Sequence, residues 1–166
     1  VGLTGLLLGD LKLVDEALHA EAGYFRQMAQ GTTADGAWFE GAWGYHFYTV
    51  SAVIRLTEGA RHSGIDLYGD GFKRMFDAPL DLAMPDLRLP AFNDSGTVSV
   101  TSHASLYEIA YARYHDPRHR IVIESRRRDS DAALLHGAPV AGPVPLWQPA
   151  TRNYPASGIP VLATGS

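Results

Sequence analysis

The stretch DGAWFEGAWGYHFYTV, residues 35–50, joins a turn and a run of aromatic side chains to the start of a long apolar helix. Asp35 and Gly36 are typical of a turn, and helical periodicity over residues 42–63, followed by Gly64, predicts a single long helix. Its apolar residues fall in two stripes, so we expect the helix to pack on two sides. The first stripe is Tyr45, Tyr48, Ala52 and Leu56, and the second is Phe47, Val50 and Ile54.

The rest of the chain up to residue 137 also shows helical periodicity. A helix is predicted over residues 11–28, and Gly31 is expected to end it. Further helical segments are predicted at 72–82, which Pro79 and Pro85 interrupt, at 106–114, after Asp116 and Pro117, and at 130–137. We therefore predict an all-α fold of antiparallel helical hairpins with functional loops between the helices.

The region after residue 137 has a different composition. Residues 138–155 are rich in proline and predict an extended inter-domain linker, and residues 158–162 predict the start of a strand. The chain begins without methionine, and we expect it to be a piece of a longer protein. The predicted organisation is a helical domain over residues 1–137, followed at 138–166 by a linker and the first strand of a β-domain.

Composition and charge exclude several classes of function. The chain has 166 residues, of which 46% are hydrophobic and 19% charged, as expected for one globular domain with a core of its own. Its net charge of -4 gives no general electrostatic reason to bind nucleic acid. No apolar run approaches the roughly 20 residues that cross a membrane. There is no cysteine, and no Walker, GxSxG or HEXXH motif, so we predict no metal site, nucleic acid or membrane partner.

The aromatic residues of the opening stretch suggest a carbohydrate site. Trp38, Phe39 and Trp43 offer flat apolar faces beside the charge of Glu40. Pyranose rings stack on such faces, while their hydroxyls need a few polar partners. Core packing is the alternative explanation, because aromatic residues also dominate protein cores.

Three segments of the chain together resemble a known family. The run DGAWFEGAWGYHFY, the helix that ends in EGARHSGIDLYGDGFKRMFD and the segment LPAFNDSG resemble, in order and spacing, the helical domain of the heparinase II/III-like polysaccharide lyases, which include oligoalginate lyases. The closing NYPASGIPVLATGS resembles that family's passage into its C-terminal β-domain. The resemblance implies an incomplete (α/α) toroid followed by a β-sandwich that is not included here. It also implies cleavage of uronate-containing polysaccharides by β-elimination.

By this resemblance, the tyrosine at the start of the long helix, Tyr45, is the catalytic residue. β-Elimination needs a neutralised uronate carboxylate, a base that removes the C5 proton and an acid that protonates the leaving C4 oxygen. A phenol, with an ordinary pKa near ~10, stays protonated at neutral pH and suits the role of acid. To act as the base as well, Tyr45 would need a pKa lowered by a neighbouring cation.

Polar and aromatic residues around Tyr45 are candidates for substrate binding. Asn93 and Asp94 lie in a loop dense in turn formers, where with Glu40 they could hold sugar hydroxyls or serve only as a turn and a cap. His46 points about 100° away from Tyr45 around the helix, so it either faces the cleft or packs between helices. The predicted substrate-binding residues are Glu40, Trp43, His46, Asn93 and Asp94.

The resemblance places the other catalytic groups outside the chain. The family's asparagine-histidine pair would precede Val1, and its further histidine and any metal ion would belong to a β-domain after Ser166. We therefore expect no cofactor in this piece and no activity from it alone. The implied partner is an anionic polysaccharide or oligosaccharide met in the periplasm or outside the cell. The identity of the polysaccharide and the oligomeric state are not predicted.

Two other functions stay open at this point. A glycoside hydrolase on a helical toroid would use two carboxylates about 6.5 to 9.5 Å apart, and Glu40 and Asp94 are the candidates. A non-catalytic carbohydrate-binding helical domain would function without the Tyr45 hydroxyl.

Overall fold

Helices carry the fold in the computed structural model, which describes residues 1–148 and 151–163. The α-helices are α1 (Gly2–Leu8), α2 (Leu11–His19), α3 (Tyr24–Gly31), α4 (Trp43–His62), α5 (Asp70–Leu82), α6 (Ala104–Tyr114), α7 (His119–Ile123) and α8 (Asp131–His136). A 3-10 helix (Val100–His103) precedes α6, and two short antiparallel strand pairs are present, β1 (Arg88–Leu89) with β2 (Val98–Ser99) and β3 (Arg152–Tyr154) with β4 (Ile159–Val161). The predicted all-α fold class is confirmed, and its arrangement as part of a toroid stays a prediction. Within the described ranges, no helix combines the length and the apolar character needed to cross a bilayer.

The long helix α4 confirms the helix predicted at 42–63, but it packs on one side along its first half. Phe47, Val50 and Ile54 are buried in the main apolar cluster, together with residues of α5 and α6. The expected packing of the other stripe is wrong for Tyr45 and Tyr48, which are 47% and 76% exposed. Tyrosine tolerates this position because its ring can cover neighbouring surface while its hydroxyl stays in water.

The helix predicted over residues 11–28 is two helices, α2 and α3. The break lies between Ala20 and Gly23, where the Gly23 amide donates a hydrogen bond to the Ala20 carbonyl at 2.8 Å. A Cβ on Gly23 would lie 2.8 Å from the Ala20 nitrogen, so the tight turn needs glycine. After the turn, the hydroxyl of Tyr24 donates to the buried carbonyl of Leu67 at 2.7 Å. Gly31 is the last residue of α3 rather than the residue that follows it.

Helix α5 continues through Pro79, contrary to the predicted interruption. A proline in a helix leaves the carbonyl four residues earlier without its amide partner. That carbonyl belongs to Met75, and it accepts a hydrogen bond from His46 Nε2 at 2.8 Å. The cost of the proline is therefore offset by a side chain from α4, a long-range contact that local sequence cannot show.

The segment after α8 lies on the helices. The guanidinium of Arg120 donates to the carbonyls of Ala141, Gly142 and Pro143 at 2.7 to 3.1 Å, and Trp147 Nε1 donates to Leu80 at 3.3 Å. The predicted strand start is confirmed as β4, and its partner β3 lies upstream in the chain. Residues 149–150 and 164–166 of the predicted linker and β-domain lie outside the described residues, and the division into two domains stays a prediction.

Candidate functional site

Four of the predicted site residues meet at the first turn of α4, and we call this group the Tyr45 surface: Glu40, Tyr45, Asn93 and Asp94. The Tyr45 hydroxyl donates a hydrogen bond to Asp94 Oδ2 at 3.1 Å. The Asn93 amide donates to the backbone carbonyl of Glu40 at 3.0 Å. Two loops some fifty residues apart in sequence are thereby joined beside one exposed phenol.

The backbone at this junction depends on a glycine. Gly41 has a φ of +71°, and a Cβ there would collide with the Asn93 amide. Asn93 itself has a φ of 51°, a left-handed conformation that asparagine adopts more readily than most residues. The Glu40–Gly41 and Asn93–Asp94 segments therefore fit each other because of their residue types.

The electrostatics of the Tyr45 surface favour a protonated phenol. The hydrogen bond to Asp94 raises the pKa of Tyr45, and the charge of Asp94, partial desolvation and the charge of Glu40 raise it further. Carboxylates beside a phenol disfavour the phenolate because two negative charges repel each other. The arrangement thus favours Tyr45 as a proton donor, and no described residue lowers its pKa in the way that a base would require.

Glu40 is held by the loop that precedes α4, residues 35–42, which we call the aromatic loop. Its Oε2 accepts a hydrogen bond from Trp38 Nε1 at 2.7 Å. The Trp38 ring is itself buried against Gly31, where any side chain larger than hydrogen would collide with the ring. The carboxylate therefore has a fixed position beside Tyr45.

His46 is a structural residue, which corrects its prediction as a substrate ligand. It is 1% exposed, its Nδ1 accepts from the Trp38 amide at 3.1 Å, and its Nε2 donates to Met75 at 2.8 Å. Burial lowers the pKa of His46 to about 4, so the ring is neutral with its proton on Nε2. Both nitrogens are occupied, and neither is free for a sugar.

A cleft of about 310 Å³ lies beside the Tyr45 surface, and we call it the aromatic cleft. Its aromatic walls include Trp38, Phe39, Trp43 and Phe92, and its polar atoms come from Thr33, Asn93 and Ser157. Phe39 is 63% exposed, whereas Trp43 is buried at 3%. Trp43 therefore exposes little surface to the cleft, and its predicted contact with a sugar stays a prediction.

The turn between β3 and β4 closes one end of the aromatic cleft. The Ser157 amide donates to Asp35 Oδ2 at 2.8 Å, and the Ser157 and Thr33 hydroxyls lie 3.5 Å apart. Sequence reasoning missed Thr33, Phe92 and Ser157. Phe92 carried a signal, as an aromatic residue directly before Asn93, whereas nothing local indicated the long-range approach of Ser157.

A second group of charged residues, which we call the α5–α7 charge cluster, lies on the other side of α5: Lys73, Asp77, Asp81, Asp116, Arg118 and Arg152. Potential ligand atoms of Asp77, Asp116 and His119 lie within 4.8 Å of one another. The carboxylates are already paired, since Lys73 Nζ lies 2.8 Å from Asp77 and 2.7 Å from Asp116, and Arg118 contacts both. Both carboxylates are therefore members of an ion-pair network with Lys73 and Arg118.

Comparison with known proteins identifies the family of this chain. The family model described as heparinase II/III N-terminus matches residues 18–121, which include all of the Tyr45 surface. No curated protein and no solved structure is similar enough to this chain to count as a match. Because the family model covers more than half of the chain, the protein belongs to the heparinase II/III N-terminus family, which connects it with polysaccharide lyases.

Proposed function

We propose that the protein cleaves a uronate-containing polysaccharide by β-elimination and that Tyr45 is the general acid. The observation that carries this proposal is the exposed Tyr45 hydroxyl, fixed by Asp94 and kept protonated by the neighbouring carboxylates. An acid must hold its proton at the working pH and reach a leaving group in solvent or substrate. Tyr45 meets both requirements.

The reaction divides its tasks between Tyr45 and groups outside the Tyr45 surface. A base removes the proton at C5 of the uronate, the bond between C4 and the leaving oxygen breaks, and the Tyr45 proton passes to that oxygen. A C4–C5 double bond remains in the product. The raised pKa of Tyr45 makes it a poor base, so we assign it the acid step, and the base and the cation that neutralises the carboxylate are supplied elsewhere.

Glu40, Asn93 and Asp94 are proposed to contact the substrate around Tyr45. Asp94 orients the phenol, and its second carboxylate oxygen is available to a sugar hydroxyl. Asn93 uses its amide nitrogen on Glu40, which leaves its side-chain oxygen for a hydroxyl donor. Because anionic polysaccharides of this kind are met outside the cytoplasm, we propose periplasmic or extracellular action.

The Tyr45→Phe variant of the intact protein tests the proposal. Removing a general acid typically costs about 10² to 10⁴ in rate, so we expect a loss of that size in the formation of the 4,5-unsaturated uronate, measured by its ultraviolet absorbance. Tyr48→Phe is the matched control, since Tyr48 is also an exposed tyrosine of α4. It should retain full turnover, and circular dichroism should show both variants folded.

The same assay separates the alternatives. Reducing ends without ultraviolet absorbance would indicate hydrolysis by Glu40 and Asp94 instead of elimination. An active Tyr45→Phe variant that still produces unsaturated uronate would remove Tyr45 from the mechanism. Carbohydrate binding by the wild-type protein with no bond cleavage would support the non-catalytic alternative.

A further inference from the structure

A second pocket lies between the start of α6 and the segment that joins α7 to α8. Its volume is about 210 Å³ and, among the described residues, its lining shares none with the aromatic cleft or the Tyr45 surface. We call it the arginine pocket, because three consecutive arginines at 126–128 line it together with the hydroxyl residues Thr101, Ser102, Ser105 and Ser130. A run of charge at a helix end is ordinarily solvated surface, so the pairing of each arginine decides what this pocket can bind.

Arg128 is a fixed wall of the arginine pocket. Its Nε and Nη2 donate to the two carboxylate oxygens of Glu108 at 2.7 and 2.6 Å, and Nη2 also donates to the Ala138 carbonyl at 3.0 Å. Glu108 is 2% exposed, so this forked ion pair is anchored in the protein interior and its two charges satisfy each other. The pair thereby fixes the end of the segment that carries the other two arginines.

Arg126 and Arg127 are exposed and weakly paired. Arg127 Nε lies 3.5 Å from Asp129 Oδ2, but the two side chains are 89% and 64% exposed, and an ion pair so open to water is weak. Arg126 forms no ion pair within the described ranges. The three arginines of the lining face two carboxylates, Glu108 and Asp129. The arginine pocket therefore keeps one uncompensated positive charge in a chain whose net charge is -4.

The hydroxyl groups of the arginine pocket add hydrogen-bond donors. Ser102 and Ser105 are exposed, and their side chains form no hydrogen bond with another described residue. Ser130 Oγ accepts from the Ala133 amide at 3.1 Å, so its own hydrogen remains to be donated. Guanidinium groups donate and never accept. A ligand group that only accepts, such as a carboxylate or a sulfate, therefore matches this lining better than a neutral sugar, whose hydroxyls donate as well.

The arginine pocket lies on the segment that leaves the Tyr45 surface. Asp94 precedes Thr101, the first residue of the lining, by seven residues. His103, in the middle of this segment, stacks on Phe47 of α4 with ring centroids 3.7 Å apart. The helix that carries Tyr45 therefore contacts the segment that lines the pocket. A polysaccharide bound at Tyr45 carries further anionic groups along its length, which makes it a source of the acceptor that the pocket requires.

We propose that the arginine pocket binds a carboxylate or sulfate group of the polysaccharide, away from the bond that is cleaved. Arg126 and Arg127 supply the charge, and the serine hydroxyls supply further donors. Holding one chain at two places raises its effective concentration at Tyr45, so the pocket favours long polymers over short oligosaccharides. This inference rests on the proposed function for the identity of the polymer, and on the lining of the pocket for the binding of an anion.

Direct binding tests the arginine pocket without turnover. In the intact protein that carries Tyr45→Phe, the further change Arg126→Gln with Arg127→Gln should raise the Kd for polymannuronate or for heparin about fivefold, measured by calorimetry. The matched control, Arg26→Gln with Arg55→Gln, removes the same charge from exposed positions on α3 and α4 and should leave the Kd unchanged. An equal rise in both variants would overturn the proposal, as would the failure of both polymers to bind.

The choice of ligand identifies the source of the anionic group. Polymannuronate offers carboxylates alone, heparin adds sulfate, and sodium sulfate presents the ion without a chain. Loss of polymannuronate affinity in the arginine variant would assign the pocket to carboxylates, and loss of heparin affinity alone would assign it to sulfates. Free sulfate that binds as tightly as the polymer would overturn the proposal. An equal, arginine-dependent affinity for single-stranded DNA would also overturn it, because the pocket would then accept any polyanion.

A kinetic measurement separates this proposal from the proposed function. With Tyr45 intact, Arg126→Gln with Arg127→Gln should raise the KM for the long polymer about fivefold relative to the KM for its tetrasaccharide, because the polymer gains most from a second contact. Formation of unsaturated uronate with an unchanged KM ratio and an unchanged Kd would overturn the arginine pocket alone. Arginine-dependent binding by a protein that forms no unsaturated uronate would overturn the proposed function alone.

Discussion

The Tyr45 surface and the α5–α7 charge cluster both gather polar side chains from distant parts of the chain, but they differ in how completely those side chains are paired. In the cluster, Asp116 is hydrogen-bonded by Lys73 and Arg118. Burial opposes its ionisation, but those hydrogen bonds outweigh the burial and lower the pKa of Asp116. At the Tyr45 surface the phenol has one hydrogen-bond partner in the described part of the chain, and it is open to solvent. Of these two regions, the charge cluster therefore combines a strongly lowered pKa with full pairing, whereas the incompletely paired phenol of Tyr45 is the group to which we assign the proposed chemistry.

His46 connects the two regions. It fills the hydrogen-bonding gap that Pro79 leaves at Met75 in α5, and its other nitrogen accepts the amide of Trp38 in the aromatic loop. The loop that holds Glu40 and lines the cleft is therefore fixed to the helix that carries part of the charge cluster. A substitution that distorts α5 can therefore change the geometry of the Tyr45 surface through the hydrogen bonds of His46.

The largest effect is expected from Asp116→Asn. Removing one member of this partly buried ion-pair network leaves its partners uncompensated, so we expect the free energy of unfolding to fall by about 3 kcal/mol, the low end of the range for a broken buried pair. Urea unfolding measures the change, and Asp86→Asn is the control, since Asp86 is exposed and, among the described residues, pairs with Arg88 alone. The folded Asp116→Asn protein should retain its kcat. A loss of kcat in folded protein would bring the cluster into the chemistry and break the contrast between the two regions.

The second prediction concerns pH and His46. Because burial lowers its pKa to about 4, the unfolded chain binds a proton more readily than the native protein, and stability falls as the pH drops through the ordinary histidine range. Between about pH 7 and about pH 5 the loss should be about 2 kcal/mol in the free energy of unfolding. Partly buried His103, whose pKa burial also lowers, acts in the same direction.

The variant His46→Gln measures how much His46 contributes to the pH dependence of the free energy of unfolding. It should be less stable than wild type at neutral pH, and its free energy of unfolding should fall less as the pH drops. His62→Gln, at an exposed histidine, is the matched control for the substitution. Glu58, whose pKa falls to about 2 because hydrogen bonds from Arg113, Tyr68 and Arg61 outweigh its burial, loses its stabilisation only below this pH range. If the free energy of unfolding of His46→Gln depended on pH as it does in the wild-type protein, the pKa of His46 would not be lowered by its burial.

Local patterns predicted the long helix and part of the site, because those features depend on nearby residues. Helical periodicity and Gly64 located α4, and turn formers located the loop of Asn93 and Asp94. Features that depend on distant contacts could not be predicted in this way. Apolar periodicity runs across the Gly23 turn without a change, and the continuation of α5 through Pro79 depends on His46 from another helix.

The interior position of His46 was equally hidden. The sequence shows that Tyr45 and His46 point in different directions, but it does not show which of the two directions faces the core. The structure turns the tyrosine outward and the histidine inward. The approach of Ser157 to Asp35 across more than a hundred residues likewise has no local signal.

The smallest effect, and the one that tests the chemistry of the Tyr45 surface most directly, is expected from Asp94→Asn. Asparagine can still accept the phenol hydrogen bond, but it removes the charge that raises the pKa of Tyr45. The phenol should then ionise at lower pH, so the alkaline limb of the pH profile of kcat/KM should move to lower pH, while activity at neutral pH changes less than in Tyr45→Phe.

Glu40→Gln should move the alkaline limb in the same direction by a smaller amount, because the charge of Glu40 is the weakest of the causes that raise the pKa of Tyr45. Both positions are exposed, so neither variant should alter the free energy of unfolding by more than about 0.5 kcal/mol. A limb that stays in place in both variants would mean that the group titrating there is not Tyr45, and the acid would have to be sought outside the Tyr45 surface.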